Sequence, residues 1–317
     1  MIRYVLKRCA QAVPLLLLIT ILCFALIQLA PYNVIDSLIT PRMSAQAIAL
    51  IKVKYGYNQP AYFRYLAWLS DLLHGNLGYS LVTHASIAQD LAARLPATIV
   101  LALPADLLAT VLALLLGLAA GSRRGSLADR IIDGVCSVGI AVPGFWLAMV
   151  FIFLFGYKLG IFPIIGMHTV GREHSISDFL LHYALPFTVL TLEFLPGLVR
   201  YVRASAIGQM KENYVTVQRA FGAGPREILL RHVARNVLLP LLTEFGMSLP
   251  ILVTGAVITE TVFDWPGVGP YFVKAVQGLD YPVVMDILLF SAVLVILGNL
   301  LADVLYHVAD PRIKQTR

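Results

Sequence analysis

The chain has 317 residues, of which 59% are hydrophobic and only 13% are charged, and its mean hydropathy is +0.80. Soluble domains carry about 25% charged residues, so this composition excludes an ordinary water-soluble protein. The net charge of +6 is better explained by the Lys- and Arg-rich cytosolic loops of a membrane protein than by binding to nucleic acid.

Six apolar segments predict an all-α membrane protein, because each is near the roughly 20 residues that a helix needs to cross a bilayer. The predicted spans are Ala10–Ala30, Thr98–Ala120, Val135–Phe155, Ala184–Ser205, Leu241–Val262 and Val283–Tyr306. For the first segment, the competing interpretation is a cleaved signal peptide. A span is favoured because the run is longer than a signal-peptide core of about 7–15 residues and ends at Pro31.

Basic residues orient the spans. With the N-terminus in the cytosol, 16 of the 24 Lys and Arg residues fall on the cytosolic side. Five of the remaining eight lie in the first outer loop, whose length reduces its weight in the positive-inside rule. We therefore predict a cytosolic segment and first span at 1–30, an extracytoplasmic loop at 31–96, and a core of five further spans at 97–317, with both termini in the cytosol.

Two outer loops have predicted structure of their own. In the first loop, apolar stripes predict surface helices at Ser44–Tyr55 and Tyr62–Leu73, and a lid without a ligand role is one interpretation of them. The fifth outer loop, Phe263–Tyr271, contains two Pro and two Gly, which predicts that no helix runs through it. Trp265 and Tyr271 are predicted to lie at the membrane–water interface. A structural role for this turn is favoured over contact with an external partner.

A long basic segment, Ala206–Pro240, lies between the fourth and fifth spans. Its first half predicts one helix, because apolar residues recur at spacings of three and four. These residues are Ile207, Met210, Tyr214, Val217 and Phe221. Gly222–Pro225 then predicts a turn, followed by a second helix that starts at Pro225 and ends near Pro240. The apolar positions of the second helix are Ile228, Leu229, Val233 and Val237.

The tip of this hairpin, Phe221–Pro225, is predicted to protrude from the membrane surface. Two interpretations follow from the periodicity alone. In one, the exposed aromatic residue docks into a groove on another protein. In the other, the segment is a membrane-surface helix that binds nothing.

Motifs along the whole chain resemble one family. They are, in order, Arg3-Tyr4 with Lys7-Arg8, Gly75–Ser80, Arg94–Thr98, Arg124–Ser126 with Asp129-Arg130, Pro143–Trp146, Gly222–Pro225, His232–Pro240, Thr259–Gly269, Asp280–Val283 and Asp310–Ile313. Taken together in this order, they resemble the permeases of ATP-binding-cassette importers. The branch that the chain resembles is the dipeptide, oligopeptide and nickel permease family, first-permease type.

Two positions depart from the family pattern. The coupling motif of the family is commonly Glu-Ala-Ala before the glycine, whereas this chain has Thr216-Val217-Gln218. After the first span the family usually has Pro-Gly-Asp-Pro, whereas this chain has Pro31-Tyr32-Asn33-Val34. The second departure puts the role of that turn in doubt.

The resemblance implies a six-helix type I importer transmembrane domain with a periplasmic loop subdomain and a cytosolic coupling helix. It implies as partners a second homologous permease, two cytosolic ATPase subunits that bind ATP and Mg, an extracytoplasmic binding protein and membrane lipids, in the inner membrane of a bacterium. No cofactor is expected in this chain. The residues implied in coupling are Tyr214, Thr216, Val217, Gln218, Arg219, Ala220, Phe221, Gly222, Ala223, Gly224 and Pro225.

Carboxylates inside spans are candidates for the translocation pathway, because burying charge in lipid is costly. Glu193 is the first choice for contact with a peptide amine or a cationic ligand, and Asp106 and Asp286 are further candidates. Nearby prolines predict that the helices break beside Asp106 and Glu193. Pairing with an Arg or with the partner permease, or protonation by burial, is the alternative. Glu244 and Asp303 are interpreted as structural.

Other classes of function have less support. The chain has no phosphate-binding Gly-x-x-x-x-Gly-Lys-Ser/Thr run, so it is not itself the ATPase. His168, His174 and His182 are interpreted as solvated rather than metal-binding. A secondary transporter predicts inverted repeats, and none is seen; a structural subunit is a further alternative, and nothing supports a membrane enzyme. The substrate stays open among dipeptides, oligopeptides, nickel or a metal chelate, and glutathione-like ligands.

Overall fold

The computed structural model describes residues 2–29, 43–54, 58–248 and 256–309, and these form helices joined by turns and by two longer non-helical segments, 74–86 and 159–175. The α-helices, numbered α1 to α13 in chain order, are Ile2–Gln28, Ala45–Lys54, Ala61–Leu73, Ile87–Ser122, Leu127–Ala141, Gly144–Phe151, Ile176–Gln209, Asn213–Ala220, Pro225–Glu227, Ala234–Ser248, Val257–Val262, Val268–Gln277 and Tyr281–Ala309. Two π-helical segments, Ile152–Lys158 and Ile228–Val233, continue α6 and α9.

Several of these helices are long and apolar enough to cross a membrane. Among the described residues, α4, α7 and the Tyr281–Leu300 part of α13 meet this requirement singly, and α5 with α6 meets it as a bent pair. These elements match four of the six predicted spans. The first predicted span corresponds to a shorter apolar stretch, Ala10–Leu26 of α1. The centre of the fifth, residues 249–255, lies outside the described residues.

The third predicted span is not one straight helix. The helices α5 and α6 meet at an angle of 96°. The break lies at Val142 and Pro143, both of which have extended backbone conformations. Proline has no amide hydrogen and disfavours helical geometry in the residue before it. The predicted span at Val135–Phe155 therefore contains a sharp bend that the prediction did not include, and hydropathy could not reveal the bend because both arms are apolar.

Other prolines do not interrupt their helices. The helix α7 runs continuously past Pro186 and Pro196, and α4 runs past Pro104. The predicted breaks beside Asp106 and Glu193 are therefore wrong. A proline within a membrane helix is tolerated where neighbouring groups satisfy the freed backbone carbonyl.

The chain divides into two compact units. The first comprises residues 1–96 and 267–296, and the second comprises residues 97–266 and 297–317. In the first unit, α3 packs against α1 through a 2.9 Å hydrogen bond between the hydroxyls of Tyr65 and Thr20. Arg64 donates to Gln28 at 2.7 Å. The predicted surface helices are present as α2 and α3, with boundaries within one residue of those expected.

The same unit joins two motifs that are far apart in the chain. The carboxylate of Asp280 accepts a 2.5 Å hydrogen bond from the Ser80 hydroxyl and a 3.1 Å bond from the Leu81 amide. Both Ser80 and Asp280 are buried. The segments Gly75–Ser80 and Asp280–Val283 therefore form one structural feature.

No helix runs through the whole of the loop Phe263–Tyr271, as predicted, because residues 263–267 are non-helical; a helix does start within the loop, and its aromatic residues are buried. The helix α12 begins at Val268 and includes Pro270 in its first turn, where a missing amide hydrogen costs little. Trp265 is fully buried and its indole nitrogen donates to the Ala97 carbonyl at 2.9 Å. Tyr271 is also buried, and burial raises the pKa of its phenol. The prediction that both rings lie at the membrane–water interface is therefore wrong.

In the second unit, α4 and α7 approach closely through glycine. A Cβ atom added to Gly117 would lie 2.6 Å from Val202 Cβ, and one added to Gly121 would lie 2.7 Å from Ala206 Cβ. Small residues allow helix backbones to approach in this way. The buried residues at this contact form a core with residues that follow α7 in the chain. The core contains Ala113, Leu118, Cys136, Val199, Val202, Ala206, Val215, Ile228, Val233, Val237 and Leu241.

Candidate functional site

The predicted hairpin forms, but its first limb is two helices instead of one. The helix α7 ends at Gln209, and α8 starts afresh at Asn213 after Glu212 adopts an extended conformation. The predicted single apolar stripe is consequently wrong. Val215, which lies outside that stripe, is the buried residue of α8, whereas Val217 is 49% exposed. Because the chain leaves the helical conformation between α7 and α8, the spacing of apolar residues in α7 does not predict which residues of α8 are buried.

The turn at the tip has the predicted glycine geometry. Gly222 has φ +85°, a left-handed conformation that glycine adopts without steric cost. The Ala223 amide donates to the Gln218 carbonyl and the Gly222 amide donates to Arg219, each at 3.0 Å. These two bonds are the Schellman pattern that ends a helix. Pro225 then occupies the first position of α9, as expected.

The second limb is longer than predicted. The helix continues through the π-helical segment Ile228–Val233 into α10 and passes Pro240 without ending. Ile228, Val233 and Val237 are buried in the same core as Val215. The predicted apolar positions are confirmed, but the predicted end near Pro240 is wrong.

The hairpin has three exposed large apolar side chains, Val217 and Phe221 on the first limb and Leu230 on the second, and we call them together the tip surface. Their exposed fractions are 49%, 83% and 68%. Arg219 and Arg226, which are close to Phe221 in sequence, are also exposed. The Phe221 side chain is exposed, as a docking residue must be, and its protrusion from the membrane surface stays a prediction. Leu230 was not predicted because it lies on the opposite limb. An exposed aromatic residue among small and basic neighbours is a suitable anchor for a groove on another protein.

An ion pair that the sequence did not reveal links α5 to α7 near the hairpin. Arg203 donates from Nε to Asp129 Oδ1 at 2.5 Å and from a terminal nitrogen to Oδ2 at 3.0 Å. The Gly125 amide also donates to Asp129 at 2.8 Å. Such a two-pronged pair fixes orientation as well as distance. In the sequence, Asp129 stands out only as part of a motif and Arg203 only as one of the basic residues of a predicted cytosolic loop.

Glu193 lies at a cavity of about 460 Å³ formed by α4, α5, α6 and α7. The cavity wall is otherwise apolar and includes Trp146, Leu192 and Pro196. The carboxyl group rests on Gly144, where an added Cβ would lie 2.6 Å from Oε2 and 2.7 Å from Oε1. Among the described residues, no ion pair joins Glu193 to a basic side chain. The cavity therefore combines one carboxylate with an extensive apolar surface.

The other pathway candidates lie elsewhere. Asp106 is buried and accepts a 2.5 Å hydrogen bond from the Ser248 hydroxyl, and it does not line the cavity. Asp286 is buried in the first unit, and its two oxygens have no hydrogen-bond partner among the described residues. Glu244 is half-buried, and the Asp303 side chain lies outside those described.

Two of the three histidines that were predicted to be solvated in an outer loop contact a carboxylate instead, and one of them, His182, lies in α7. His182 is buried, and its Nδ1 lies 3.6 Å from Asp178 Oδ2. His168 Nδ1 lies 3.9 Å from the same oxygen, and the Thr169 amide and hydroxyl both donate to Asp178 at 2.7 Å. Within the described part of the chain, no group of three or more His, Cys, Asp or Glu side chains is arranged to hold a metal.

The fold defines the class of protein. The structure matches a solved chain of the MetNI methionine ABC transporter in inward-facing conformations, with a TM-score of 0.55 and 17% identity over 69% of this chain and 96% of that chain. The architecture is that of a type I importer transmembrane domain. At this level of identity, the match establishes the fold and nothing more.

The sequence then identifies the family. Residues 113–315 match the binding-protein-dependent transport system inner membrane component, and residues 1–102 match the N-terminal region of the same kind of component. The chain belongs to this family of ATP-binding-cassette importer permeases, as the resemblance implied. It is a multi-pass inner-membrane transport subunit and not an enzyme, since ATP hydrolysis in these systems belongs to partner subunits.

Relatives of similar length confirm the branch. The oligopeptide transport system permease protein AppB of Bacillus subtilis is 36% identical over 99% of this chain and 100% of its own length. The di/tripeptide transport system permease protein DppB of Pseudomonas aeruginosa is 34% identical, and the match covers both chains completely.

Proposed function

We propose that this permease imports peptides delivered by an extracytoplasmic binding protein. The observation that supports the substrate class is the match along the whole chain to permeases named for oligopeptides and for di- and tripeptides. The apolar cavity with a single carboxylate is suited to the same substrate class, because a peptide carries apolar side chains and an ammonium group.

The partners follow from the same proposal. A second homologous permease completes the pathway, two ATPase subunits bind ATP and Mg, and both termini face the cytosol. The tip surface docks into one ATPase subunit, with Phe221 as its anchor. Support comes from the 83% exposure of Phe221 on a hairpin whose other side is packed into the core of the second unit.

Within the pathway, Glu193 is the proposed contact for the peptide ammonium group. A carboxylate among apolar groups is costly unless it is paired, and a substrate cation would supply the missing partner. Asp106 and Asp286 remain weaker candidates. Asp106 already accepts a hydrogen bond from the Ser248 hydroxyl, and Asp286 does not line the cavity around Glu193.

Uptake into proteoliposomes tests the substrate class. The complete complex is reconstituted with its binding protein and internal ATP, and accumulation of a radiolabelled tripeptide is measured. Import that requires both ATP and the binding protein supports the proposal. Absence of uptake across a panel of di-, tri- and oligopeptides, with uptake of another solute by the same vesicles, would refute it.

A substitution tests the role of Glu193. Glu193→Gln keeps the size of the side chain and removes its charge, so we expect peptide import to fall by about 10- to 150-fold, the effect of losing roughly 1.5–3 kcal/mol of hydrogen bonding to a charged group. An N-acetylated peptide that the binding protein accepts should be transported equally by the variant and the unaltered protein. Glu173→Gln, at an exposed carboxylate in the outer loop, is the matched control. Equal import of the free peptide by both variants and the unaltered protein would remove Glu193 from the pathway.

A further inference from the structure

We propose that Gln209 is the positioning residue that transmits movement of α8 to the membrane helices α7 and α10. This inference rests on the proposed coupling role of the hairpin. Gln209 is the last residue of α7, and it was not among the residues expected to act in coupling. It acts through its neighbours and is not expected to touch the ATPase or the substrate.

One side-chain oxygen joins three helices. Gln209 Oε1 accepts a 3.0 Å hydrogen bond from the Tyr214 hydroxyl of α8 and a 3.2 Å bond from Asn236 Nδ2 of α10. Burial raises the pKa of the Tyr214 phenol, so this hydroxyl remains a donor at neutral pH. Both bonds therefore require an acceptor at position 209.

The main chain does not provide a rigid connection at this point. The α-helical hydrogen-bond pattern stops after the bond from the Met210 amide to Ala206, and the next two amides make short-range turn bonds instead. Glu212 is extended before α8 begins. A turn of this kind bends more easily than a continuous helix, so a displacement of α8 is weakly transmitted along the backbone alone.

Core packing around the hairpin also does not transmit a displacement of α8 in a defined direction. Val215 and Ile228 are buried in the core that also contains Val202 of α7. Apolar packing holds such residues together but is not directional, whereas a hydrogen bond depends on distance and angle. The two bonds to Gln209 therefore fix the direction in which α8 pulls on α7 and α10.

Substitutions at position 209 separate this role from simple packing. Gln209→Leu removes the acceptor at similar volume, and Gln209→Glu retains an acceptor oxygen for both donors. The measurements, made on the purified complete complex in proteoliposomes, are copurification of the ATPase subunits, ATP hydrolysis, and tripeptide molecules imported per ATP hydrolysed. We expect Gln209→Leu to retain assembly and hydrolysis while import per ATP falls about fivefold or more, the lower end of typical coupling between sites. Gln209→Glu should restore the ratio.

A second pair of variants keeps the inference testable if Gln209→Leu fails to assemble. Tyr214→Phe and Asn236→Leu each remove one donor and leave Gln209 unchanged, and the combined variant should lower the ratio as Gln209→Leu does. An unchanged ratio in the variant lacking the acceptor, or in the variant lacking both donors, would overturn the inference. So would failure of Gln209→Glu to restore the ratio.

The proposed function is tested separately. Phe221→Ala changes the tip surface and should reduce copurification of the ATPase, which distinguishes loss of docking from loss of transmission. If the unaltered complex imports no peptide but transports another solute, the peptide assignment fails. The ratio for Gln209 is then measured with that solute.

Discussion

The contact between Gly139 of α5 and Pro196 of α7 supports a quantitative prediction about helix packing. A Cβ atom added to Gly139 would lie 2.6 Å from Pro196 Cγ and 3.3 Å from its Cβ. The proline ring is rigid, so it cannot move aside as a flexible side chain would. Gly139→Ala must therefore push the two helices apart, and overpacking of this kind costs about 1–3 kcal/mol of unfolding free energy.

Gly134 provides a matched control on the same helix. Nothing lies within 4 Å of a Cβ added there, and replacing glycine by alanine in a helix stabilises it by up to about 1 kcal/mol. Thermal unfolding of the detergent-solubilised complex should therefore show a lower midpoint for Gly139→Ala and an equal or higher midpoint for Gly134→Ala.

A double-mutant cycle shows whether Pro196 is the obstacle. Pro196→Ala removes the ring, so Gly139→Ala should cost little in that background, with a coupling free energy of about 0.5–3 kcal/mol. Equal midpoints for the two glycine variants, or strictly additive effects with Pro196→Ala, would refute the reasoning.

Two further substitutions test the base of the hairpin and its turn. Asp129→Ala leaves the Arg203 guanidinium without its two-pronged partner and should destabilise the complex by about 1–3 kcal/mol. The control is Asp133→Ala. The Asp133 carboxylate is 3.8–3.9 Å from Arg200 and Arg203 and 37% exposed, so its removal should change stability by less than about 0.5 kcal/mol. Equal thermal midpoints for these two variants would contradict this. Gly222→Ala forces alanine into the left-handed region at φ +85° and should make local opening of the hairpin easier by about 1–2 kcal/mol, measured by amide hydrogen exchange. Gly224→Ala, at φ −71°, is its control, and equal exchange in both would show that the turn tolerates a side chain.

Much of the architecture was readable from the sequence, because the signals are local. A long run of apolar residues indicates that the segment lies in lipid, and the spacing of apolar residues within one helix indicates which face is buried. The helices α4, α7 and α13, the surface helices α2 and α3, and the glycine turn at Gly222 follow from such signals. The Schellman turn in particular depends on a few consecutive residues and on the conformational freedom of glycine.

The errors occurred where a local signal depends on its surroundings. Pro143 breaks the third span, whereas Pro196 and Pro240 lie within continuous helices, and the same residue type cannot distinguish these cases. Trp265 was assigned to the membrane interface from its chemistry, but it is buried with its indole donating to Ala97. The predicted apolar stripe through Tyr214 and Val217 was wrong because the three residues between α7 and α8 interrupt the helical periodicity.

The sequence by itself determined that this protein lies in a membrane, that it is helical, and where in the chain its hairpin with the glycine turn lies. Only the tertiary structure decided which distant residues meet. Ser80 pairs with Asp280 across 200 positions and Asp129 with Arg203 across 74, and the Glu193 carboxyl group rests on Gly144. Such contacts depend on how helices cross, and one sequence contains no signal for the distance between two side chains on different helices. The connection through Gln209 was hidden for the same reason.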